Sequence, residues 1–514
     1  MARVDTRPAL VFIGFMGAGK TTALAAARDA GLETTEVDEL IEREIGMPIA
    51  DFFEREGEAE FRRREAEVVV PLLERAEGGA IALGGGSVLS EAVRDALGPH
   101  VVAWLQVDVE EAWRRSEGSD RPLARDRDAF EALMPKREPL YEQLADAILP
   151  QGDAGLAARA MPALLGLLAL PPSTRMMWAA SASGEYPIFS GDGILGADFW
   201  PLDGRRFCIT DTNVGALYAE RLEPLAGGVE VEPGEGAKTL ASAEDVLRRL
   251  ANAGMTRSDH VVALGGGVVG DLGGFCAATY QRGVPVVQVP TTLVGQVDSA
   301  IGGKTGVDLP EGKNYVGAFH LPAAVIADTG TLATLPREER GAGWVEVIKT
   351  ALLADGPLWE AVRAIARPDP RQLSDIAFSC ARFKAEVVAS DERDAGRRAI
   401  LNLGHTVGHA IEAATGYGRF RHGEAVGLGL LAALRLSGAQ ELRDEVRALL
   451  EEAGVPTELD SDVDVDAVLR AVERDKKRDS EGVRFVLLAS PGEPREGELV
   501  EADRVRAAVE EIQR

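Results

Sequence analysis

The sequence GFMGAGKT at residues 14–21 decides the fold of the N-terminal part of this 514-residue chain. It follows the short apolar run 10–13, which predicts a strand, and it opens a stretch with helical spacing. This is the pattern GxxxxGK[ST] in its required setting, where glycines let backbone N–H groups surround phosphates. Lys20 would reach the β and γ phosphate oxygens, and the Thr21 hydroxyl can ligate Mg²⁺. The stretch therefore predicts a nucleotide-binding site.

The segments around this motif predict a parallel α/β domain, because short apolar runs alternate with charged stretches of helical spacing. The apolar runs occupy residues 10–13, 80–83 and 101–105. An amphipathic stretch at 154–170 then ends at Pro171-Pro172-Ser173-Thr174, a composition typical of a linker. We therefore predict a first domain over residues 1–170 and a linker over 171–175.

The rest of the chain predicts a second α/β part followed by a helical part. Residues 176–330 again alternate strand-like and helical segments. The strand-like segments are 207–210, 261–264, 286–289 and 324–327. After Pro336 helical spacing dominates to the end. We predict a Rossmann-like α/β domain over 176–330 and an all-helical domain over 331–514.

Composition narrows the classes of function. A net charge of -27 and a pI of about 4.8 argue against nucleic acid, because binding a phosphate backbone needs a basic face. The longest apolar run, near 163–170, is far shorter than a membrane helix, and the N-terminus has no signal-peptide pattern. Three isolated cysteines suit a reducing compartment. We expect a cytoplasmic protein that binds small molecules and neither nucleic acid nor membrane.

Lysine is scarce, and its positions are informative. Only nine of the 56 basic residues are lysine, and we expect those that remain to need a compact, rotatable ammonium. They are Lys20, Lys136, Lys238, Lys304, Lys313, Lys349, Lys384, Lys476 and Lys477. Apart from Lys136, which has no assigned role, we predict that most of them contact a phosphate, a carboxylate or a cofactor.

Several residues after the phosphate-binding motif suggest what accepts the phosphate. They are Asp38, Arg62 in Phe61-Arg62-x-x-Glu65, the triple glycine 84–86, Arg121 in Arg121-Pro122-Leu123, and Arg137. Each alone has an ordinary explanation, such as helix capping for Asp38 or a solvated face for Arg62. Together, over about residues 8–170, they resemble shikimate kinase.

That resemblance implies a P-loop kinase fold, a three-layer arrangement around a parallel sheet, and ATP-dependent phosphorylation of shikimate. The acid matching Asp38 grips the ring hydroxyls and acts as the base or orients it, and arginines hold the carboxylate. The implied shikimate-binding residues are Asp38, Arg62, Gly84, Gly85, Gly86 and Arg137. The implied ATP-binding residues are Gly17, Ala18, Gly19, Lys20, Thr21, Thr22 and, in the lid, Arg121. Asp38 and Lys20 are the implied catalytic pair.

One position departs from that family. Where the family has Asp two residues before its substrate-binding acid, helping to hold the water shell of Mg²⁺, this chain has Glu36. Glu is longer by one methylene. Because magnesium is often held through waters, we expect the change to be absorbed.

A second glycine cluster predicts a dinucleotide site. The segment 264–274, LGGGVVGDLGG, follows a hydrophobic strand, and only glycine allows a pyrophosphate to come so close to the backbone. A tight structural turn is the competing explanation. Nearby polar residues favour a binding site: Thr291, Thr292, Asp298, Lys304, Lys313 and Asn314, with Asp211, Asn213, Glu235 and Lys238 earlier in the chain.

Three of the six histidines lie between 405 and 422 and predict a metal site. His405 and His409 are four residues apart, so on a helix they share a face, and His422 follows. A carboxylate with two histidines would leave a fourth zinc position open, as catalytic sites require. Glu346, in Glu346-x-x-Lys349, is the candidate carboxylate.

Residues 176–514 closely resemble 3-dehydroquinate synthase. The resemblance implies the metal ligands Glu346, His405 and His422. It implies NAD-binding residues Asp211, Asn213, Glu235, Lys238, Gly265, Gly266, Gly267, Asp271, Thr291, Thr292, Asp298, Lys304, Lys313 and Asn314. It implies heptulosonate phosphate-binding residues Asp298, Lys304, Asn314, Lys349, Lys384, Arg398, Asn402, His409, one of Lys476 or Lys477, and Arg282. Of these, Lys349, His409, Arg398 and Asn402 are the implied catalytic residues.

The resemblance further implies conversion of 3-deoxy-D-arabino-heptulosonate 7-phosphate to 3-dehydroquinate and phosphate, with NAD, Zn²⁺ or Co²⁺, and no net redox change. His409 would shuttle a proton. Arg282 matches an arginine that reaches a neighbouring subunit's site, which implies a homodimer. Asp394 stands where the family commonly has Glu, and we expect a small adjustment around the site.

The whole sequence therefore predicts a bifunctional enzyme of aromatic amino acid biosynthesis, with an N-terminal shikimate kinase and a C-terminal 3-dehydroquinate synthase. Two alternatives remain at this point. The C-terminal half could be a metal-dependent polyol dehydrogenase, which would release NADH in proportion to product. The N-terminal half could be a non-catalytic nucleotide-binding regulator.

Overall fold

The computed structural model describes residues 8–118, 122–365, 367–394, 396–474, 478–479 and 482–513. The chain forms two compact units. The first comprises residues 1–179 and 197–201, and the second comprises residues 180–196 and 202–514. The predicted linker 171–175 lies inside the first unit. The predicted domain 331–514 lies inside the second unit, and so does the predicted domain 176–330 except for residues 176–179 and 197–201.

The first unit contains a parallel sheet and the helices that connect its strands. Its strands are β1 (Leu10–Ile13), β2 (Thr34–Glu36), β3 (Ala80–Ala82), β4 (Val101–Leu105), β5 (Ala147–Leu149) and the start of β6 (Arg175–Ser181). Its helices are α1 (Lys20–Asp29), α2 (Val37–Ile45), α3 (Ile49–Arg75), α4 (Glu91–Leu97), α5 (Val109–Ser116), α6 (Arg127–Glu131), α7 (Met134–Leu144) and α8 (Leu156–Leu167). The predicted strands at 10–13 and 101–105 are present with the predicted bounds.

The order of these strands brings three loops together. The sheet runs β2-β3-β1-β4-β5-β6, and Ala82 pairs in parallel register with both Phe12 on β1 and Glu36 on β2. The loops that follow β1, β2 and β3 therefore leave the same edge of the sheet side by side. The phosphate-binding motif follows β1, Asp38 lies at the start of α2 directly after β2, and the triple glycine follows β3.

The glycines of the phosphate-binding loop are required by its backbone. Gly14 has φ 147°, and a Cβ there would lie 2.5 Å from the Leu105 carbonyl oxygen. Gly17 has φ 80°, and a Cβ there would lie 2.9 Å from the Ala112 carbonyl oxygen. Side chains would strain the backbone and collide with fixed backbone atoms at both positions, so the loop can wrap tightly only with glycine.

The second unit combines an α/β part with a helical part. Its strands are β7 (Gly184–Gly191), β8 (Arg206–Asp211), β9 (Leu225–Val231), β10 (His260–Gly265), β11 (Val286–Pro290), β12 (Lys304–Leu309), β13 (Gly312–Phe319), β14 (Ala324–Asp328), β15 (Arg478–Asp479), β16 (Gly482–Leu488) and β17 (Pro494–Leu499). Its helices are α9 (Thr212–Tyr218), α10 (Leu240–Asn252), α11 (Gly267–Thr279), α12 (Arg337–Ala354), α13 (Gly356–Arg363), α14 (Ser374–Ser390), α15 (His405–Ala414), α16 (His422–Ser437), α17 (Gln440–Ala453), α18 (Val465–Glu473) and α19 (Ala502–Ile512).

The α/β part of this unit has a Rossmann-like parallel sheet. Its strand order is β7-β14-β11-β10-β8-β9. After β8 the chain runs outward to β9 and then returns to the other side of β8 as β10, so the order reverses between β8 and β10. In open α/β sheets, ligands bind at the carboxyl ends of the strands beside such a reversal.

The helical part is built around helices that touch at the backbone. A Cβ on Gly423 of α16 would lie 2.0 Å from the Ala342 carbonyl oxygen of α12. A Cβ on Gly429 of α16 would lie 2.1 Å from the Gly404 carbonyl oxygen, at the start of α15. Glycine therefore lets α12, α15 and α16 pack closely together. Although α12 and α16 are largely buried, no helix within the described ranges is long and apolar enough to cross a membrane.

The helical part also contains a small antiparallel sheet, β15-β16-β17, which the sequence did not predict. Residues 485–488 of β16 are buried in the same hydrophobic core as the helices. A short continuous apolar run has the periodicity of neither a helix nor a half-exposed strand, so the pattern alone could not distinguish the two.

Candidate active sites

The first candidate site is a cavity of about 250 Å³ in the first unit. It lies where the three adjacent loops leave the sheet. The predicted residues that line it are Gly17, Gly19, Lys20, Thr21, Asp38, Arg62, Gly84, Gly85, Gly86 and Arg137. The structure thus brings together side chains from the phosphate-binding loop and from sequence positions more than a hundred residues later.

The phosphate side of the cavity is formed by the start of α1. The Lys20 ammonium donates to the carbonyl oxygens of Gly14 and Phe15, at 2.8 and 3.0 Å, so it lies folded over the loop. The Glu36 carboxyl hydrogen-bonds the Thr21 hydroxyl, and burial followed by the nearby Asp38 charge raises its pKa. Oε2 of Glu36 is buried without a hydrogen-bond partner among the described residues. A divalent cation beside Thr21 would satisfy that oxygen.

Arg62 is held over the cavity by two carboxylates. Its Nη1 lies 2.6 Å from Glu65 Oε2, and its Nη2 lies 3.3 Å from Glu58 Oε1. Glu65 is itself buried, and its Oε1 accepts a hydrogen bond from the Ser87 hydroxyl at 2.6 Å. A Cβ on Gly86 would lie 2.2 Å from the Arg62 guanidinium. The glycine therefore makes room for the arginine.

Arg137 presents an unsatisfied donor. It is 1% exposed, and its Nη1 donates to the Gly85 carbonyl oxygen at 3.4 Å. Its Nη2 is buried and has no hydrogen-bond partner among the described residues. Burial lowers the pKa of this guanidinium, and the nearby Arg62 charge adds to that effect. A bound carboxylate would supply both the missing acceptor and the missing negative charge.

The second candidate site begins at the strand reversal of the second unit. Leu264 pairs with Thr210, so the glycine turn 265–267 lies beside Asp211. A Cβ on Gly266 would lie 2.9 Å from Cγ2 of Thr292, and the Thr291 amide donates to the Gly265 carbonyl oxygen. Three consecutive strand ends therefore meet around a turn that has no space for side chains, at the start of α11.

Charged residues beside this turn form one connected cluster. The buried Lys238 ammonium lies 2.8 Å from Asp271 Oδ2 and 3.4 Å from Glu235 Oε1. Burial lowers the pKa of Lys238, but the Asp271 and Glu235 charges outweigh it and the net shift is upward. Lys313 lies 3.7 Å from Glu235 Oε1. Asp211 has a helix-capping role, because its Oδ1 accepts the Asn213 and Val214 amides at 3.0 Å.

Three helices of the second unit bring the predicted metal ligands together. Oε1 of Glu346, on α12, lies 3.6 Å from Nε2 of His405 on α15 and 3.6 Å from Nε2 of His422 on α16. Nitrogen atoms of His405, His409 and His422 also lie within 4.8 Å of one another. The geometry therefore gathers the predicted ligands and adds His409 at the exposed side of the group.

The buried atoms of this group fit a metal ion. Oε1 of Glu346 is buried and accepts no hydrogen bond from the described residues. The Nδ1 atoms of the histidines are used elsewhere: His405 contacts the Leu403 carbonyl oxygen at 3.2 Å, and His422 contacts Glu412 Oε2 at 3.1 Å. These contacts leave both Nε2 atoms as acceptors facing Glu346. Burial, then the Lys349 charge, holds the pKa of His405 well below its usual range, which favours the neutral ligand form.

Lysines and an aspartate surround the metal group. The Lys349 ammonium is buried 2.5 Å from Glu346 Oε2, and the Lys384 ammonium is 2.5 Å from Asp298 Oδ1. Burial lowers the pKa of Lys384, with Asp298 opposing that effect. Burial raises the pKa of Asp298, but the charges of Lys384 and Lys349 lower it by more. The net effect is a lowered pKa. Each of these two buried ammonium groups is thus paired with a carboxylate beside the metal group.

The segment before α15 contributes further predicted residues. Arg398 is buried, and its guanidinium donates to the carbonyl oxygens of Glu392 and Gly302 at 2.5 and 3.3 Å. Lys304 lies 2.6 Å from Asp394 Oδ2. Nδ2 of Asn402 donates to the Ala399 carbonyl oxygen at 3.0 Å. The shorter Asp394, which stands where a Glu was expected, thus reaches Lys304 directly.

Known proteins match both units. The family models described as 3-dehydroquinate synthase N-terminal and C-terminal match residues 228–342 and 343–478, and the shikimate kinase model matches residues 16–160. The 3-dehydroquinate synthase of Halorhodospira halophila is 46% identical over 337 residues, which cover 62% of this chain and 94% of that protein. The chain belongs to the 3-dehydroquinate synthase family. The 3-dehydroquinate synthase of Symbiobacterium thermophilum is 45% identical over 353 residues, which cover 64% of this chain and 98% of that protein.

Solved structures agree with the synthase fold. A 2-deoxy-scyllo-inosose synthase complexed with carbaglucose-6-phosphate, NAD⁺ and Co²⁺ has 25% identity and a TM-score of 0.59, over 65% of this chain and 99% of its own. A 2-epi-5-epi-valiolone synthase from Streptomyces hygroscopicus with NAD⁺ and Zn²⁺ has 24% identity and a TM-score of 0.59, over 64% of this chain and 96% of its own, and supports the fold. Together with the kinase match, these findings confirm the predicted fusion of a shikimate kinase domain with a 3-dehydroquinate synthase, and its enzymatic character.

Two predicted synthase residues, Arg282 and Asn314, lie apart from the residue clusters described above. Arg282 follows the far end of α11, about 20 Å along that helix from the glycine turn at its start, and it is exposed with φ 71°. Arg121 and Lys476, like Lys477, lie outside the described residues. Asn314 is exposed on β13, with its amide bonded to Asp308 Oδ1 at 2.7 Å.

Some site residues were not predicted. Glu65 orients Arg62, Arg115 lines the kinase cavity, and Glu412 contacts the synthase ligand His422. Glu412 had a detectable signal, because it follows His405 by seven residues and His409 by three and so shares their helix face. The contacts of Arg115 depend on how α5 packs beside the phosphate-binding loop. This packing cannot be predicted from the sequence around Arg115.

Proposed function

We propose that this chain catalyses two reactions of the shikimate pathway. The first unit transfers the γ-phosphate of ATP to shikimate. The second converts 3-deoxy-D-arabino-heptulosonate 7-phosphate to 3-dehydroquinate and phosphate. The synthase assignment rests on Oε1 of Glu346, which is buried between two histidine Nε2 atoms and has no hydrogen-bond partner in the described part of the chain. The kinase assignment rests on Nη2 of Arg137, which has no partner among the same residues and belongs to the cavity that Lys20 and Asp38 also line.

In the kinase site, the residues divide between the two substrates. The start of α1 and Lys20 would hold the nucleotide phosphates, and Mg²⁺ beside Thr21 and Glu36 would neutralise their charge. Arg62 and Arg137 would hold the shikimate carboxylate from one side. Asp38, which lines the cavity, would then face the ring hydroxyls and accept the proton of the attacking oxygen. The glycines 84–86 leave the space that the ring occupies.

In the synthase site, Glu346, His405 and His422 would hold Zn²⁺ or Co²⁺, and the glycine turn would hold NAD. Bound there, the metal would supply Lewis-acid activation of a substrate hydroxyl, and NAD would supply reversible hydride transfer. Both cofactors occur in the neighbouring structures described above. The chain's own cations, Lys349, Lys384 and Arg398, would hold the phosphate and carboxylate of the substrate and stabilise charge as phosphate leaves.

His409 is placed to move protons at this site. It is the exposed member of the histidine group, and its ring centroid lies 5.2 Å from that of His405 and 5.6 Å from that of His422. His409 lies at the solvent-exposed side of the histidine group, so it can exchange a proton with substrate and solvent. Glu346 lies at the buried side of the same group. We assign His409 as the proton shuttle.

The direct test is to assay the purified full chain for both reactions. ADP formation should depend on shikimate, and phosphate release from heptulosonate 7-phosphate should occur without net NADH. NADH accumulating in proportion to product would instead identify a dehydrogenase. Shikimate-independent ATP binding without turnover would identify a nucleotide-binding regulator.

We predict that Arg137→Met raises the KM for shikimate at least tenfold and changes the KM for ATP little. The reason is that methionine keeps the buried volume but removes a charge-assisted bond to the carboxylate, worth about 1.5–3 kcal/mol. Steady-state kinetics with each substrate varied would measure this. Arg114→Met, at an exposed arginine paired with Glu111, is the matched control. Equal changes in both KM values would contradict the assignment.

We further propose that the enzyme is a cytoplasmic homodimer in which Arg282 completes the partner's synthase site. Its exposure and its distance along α11 from its own glycine turn support this. We predict that mixing inactive Arg282→Ala and Lys349→Ala chains restores part of the synthase activity, because some sites in mixed dimers then contain neither substitution. No recovery after subunit exchange, or a monomer by light scattering, would contradict the proposal.

A further inference from the structure

Glu412 is a buried carboxylate whose two oxygens contact two different sites. Its Oε2 accepts a hydrogen bond from Nδ1 of His422 at 3.1 Å, and its Oε1 lies 2.9 Å from the Lys313 ammonium. The Glu412 side chain is 1% exposed. Lys313 lies on β13 of the α/β part, and Glu412 lies on α15 of the helical part. The Glu412 side chain therefore links the predicted metal ligand His422 to the predicted NAD-binding residue Lys313.

The series of alternating charges continues from Lys313 to the glycine turn. Lys313 lies 3.7 Å from Glu235, Glu235 lies 3.4 Å from Lys238, and Lys238 lies 2.8 Å from Asp271 on α11. Each charge in the series is shared between two neighbours. If one residue of the series pairs more strongly with one neighbour, it therefore attracts its other neighbour less. Because these residues are partly buried, salt screens the interactions only weakly.

We propose that Glu412 is a positioning residue that couples metal ligation at His422 to NAD binding at Lys313. The proposal rests on the synthase function proposed above. Glu412 fixes the His422 tautomer with Nε2 free, which is what carboxylates behind metal-binding histidines do. The same carboxylate partly neutralises the Lys313 ammonium, and so it limits how strongly Lys313 can attract an anionic ligand.

The sign of this coupling follows from the charges. If bound NAD draws on the Lys313 charge, the Glu412 carboxylate is less neutralised and becomes a stronger acceptor for His422, which strengthens Nε2 of His422 as a metal ligand. Metal and NAD should therefore strengthen each other's binding. Because linkage is reciprocal, the same factor, about fivefold or more, must appear in both affinities.

The test measures binding in the full chain rather than turnover. Zinc affinity of the chelator-stripped protein is measured by competition with a chelating dye, with and without saturating NAD⁺, and NAD⁺ affinity is measured with and without zinc. We expect Glu412→Gln to weaken zinc binding by about 10- to 100-fold and to bring the coupling factor close to one. Glutamine keeps the length of the side chain but cannot accept from His422 and pair with Lys313 together.

Lys313→Gln provides a second, partly exposed position at which folding is less at risk. It does not touch the metal ligands, yet we expect it to abolish the effect of NAD⁺ on zinc affinity. Glu511→Gln is the matched control, because it removes a carboxylate that lies 2.5 Å from the buried Arg443, and it should leave both affinities and the coupling unchanged.

The outcomes separate this proposal from the one on which it rests. A wild-type chain that binds neither zinc nor NAD⁺ overturns the synthase function. A wild-type chain that binds both, with unchanged coupling in Glu412→Gln and Lys313→Gln, overturns the coupling role alone. Equal losses of zinc and NAD⁺ affinity in Glu412→Gln and Glu511→Gln would mean that Glu412 has only a structural role. That result would also overturn the coupling proposal.

Discussion

Replacing His405 by alanine should remove bound zinc and lower the synthase rate at least about 10³-fold, a loss of about 4 kcal/mol in transition-state stabilisation. His405 offers a buried Nε2 that faces Glu346, and burial keeps its imidazole neutral, as a metal ligand must be. Without it, only Glu346 and His422 remain of the three predicted ligands, and two ligands hold zinc far more weakly than three. Metal content per chain and the rate of phosphate release would measure the two losses.

The shikimate kinase activity of the same preparation should be unchanged, because His405 lies in the other unit. His320→Gln is the matched control. His320 contacts the Val284 carbonyl oxygen through Nε2 at 2.9 Å, and the glutamine amide can donate the same bond. A His405→Ala chain that keeps zinc and synthase activity would show that the metal lies elsewhere.

Replacing Lys20 by alanine should lower shikimate phosphorylation about 10²- to 10³-fold, because one preorganised cation is lost from the charge that develops on the transferred phosphoryl group. The ammonium is bonded to the Gly14 and Phe15 carbonyl oxygens, so it must turn outward to reach ATP. ADP formation at saturating ATP and shikimate would measure the loss.

Synthase activity in the Lys20→Ala chain should equal that of the wild type. Lys136→Ala is the matched control, since Lys136 is exposed beside Arg137 and has no assigned role. Equal loss in both variants would mean that general charge, rather than the position of Lys20, matters. Full shikimate phosphorylation without Lys20 would contradict the kinase assignment.

The sequence predicted those parts of the sites that lie in continuous segments. The phosphate-binding loop, the glycine turn 265–267 and the pair His405 and His409 have fixed spacings whose chemistry can be inferred directly. Strands with clear apolar runs were placed within one or two residues, as for β10, which was expected at 261–264 and spans His260–Gly265.

Contacts between distant segments could not be derived from spacing. Glu65 behind Arg62 lies on the same helix, but its bond to Ser87 depends on how α3 packs beside the triple glycine. Glu412 was visible as a helix-face neighbour of His409, yet its partner Lys313 lies 99 residues earlier in the chain. Only the fold, which brings Lys313 on β13 to Glu412 on α15, gives this carboxylate its second partner.

The close contacts of α12, α15 and α16 have a consequence for how this metal site can vary. The predicted ligands Glu346, His405 and His422 each lie on a different one of these helices, and α16 approaches the other two at the backbone through Gly423 and Gly429. The relative positions of the ligands are therefore set by backbone contacts. A single methyl group at either glycine would therefore push apart the helices that carry the predicted ligands.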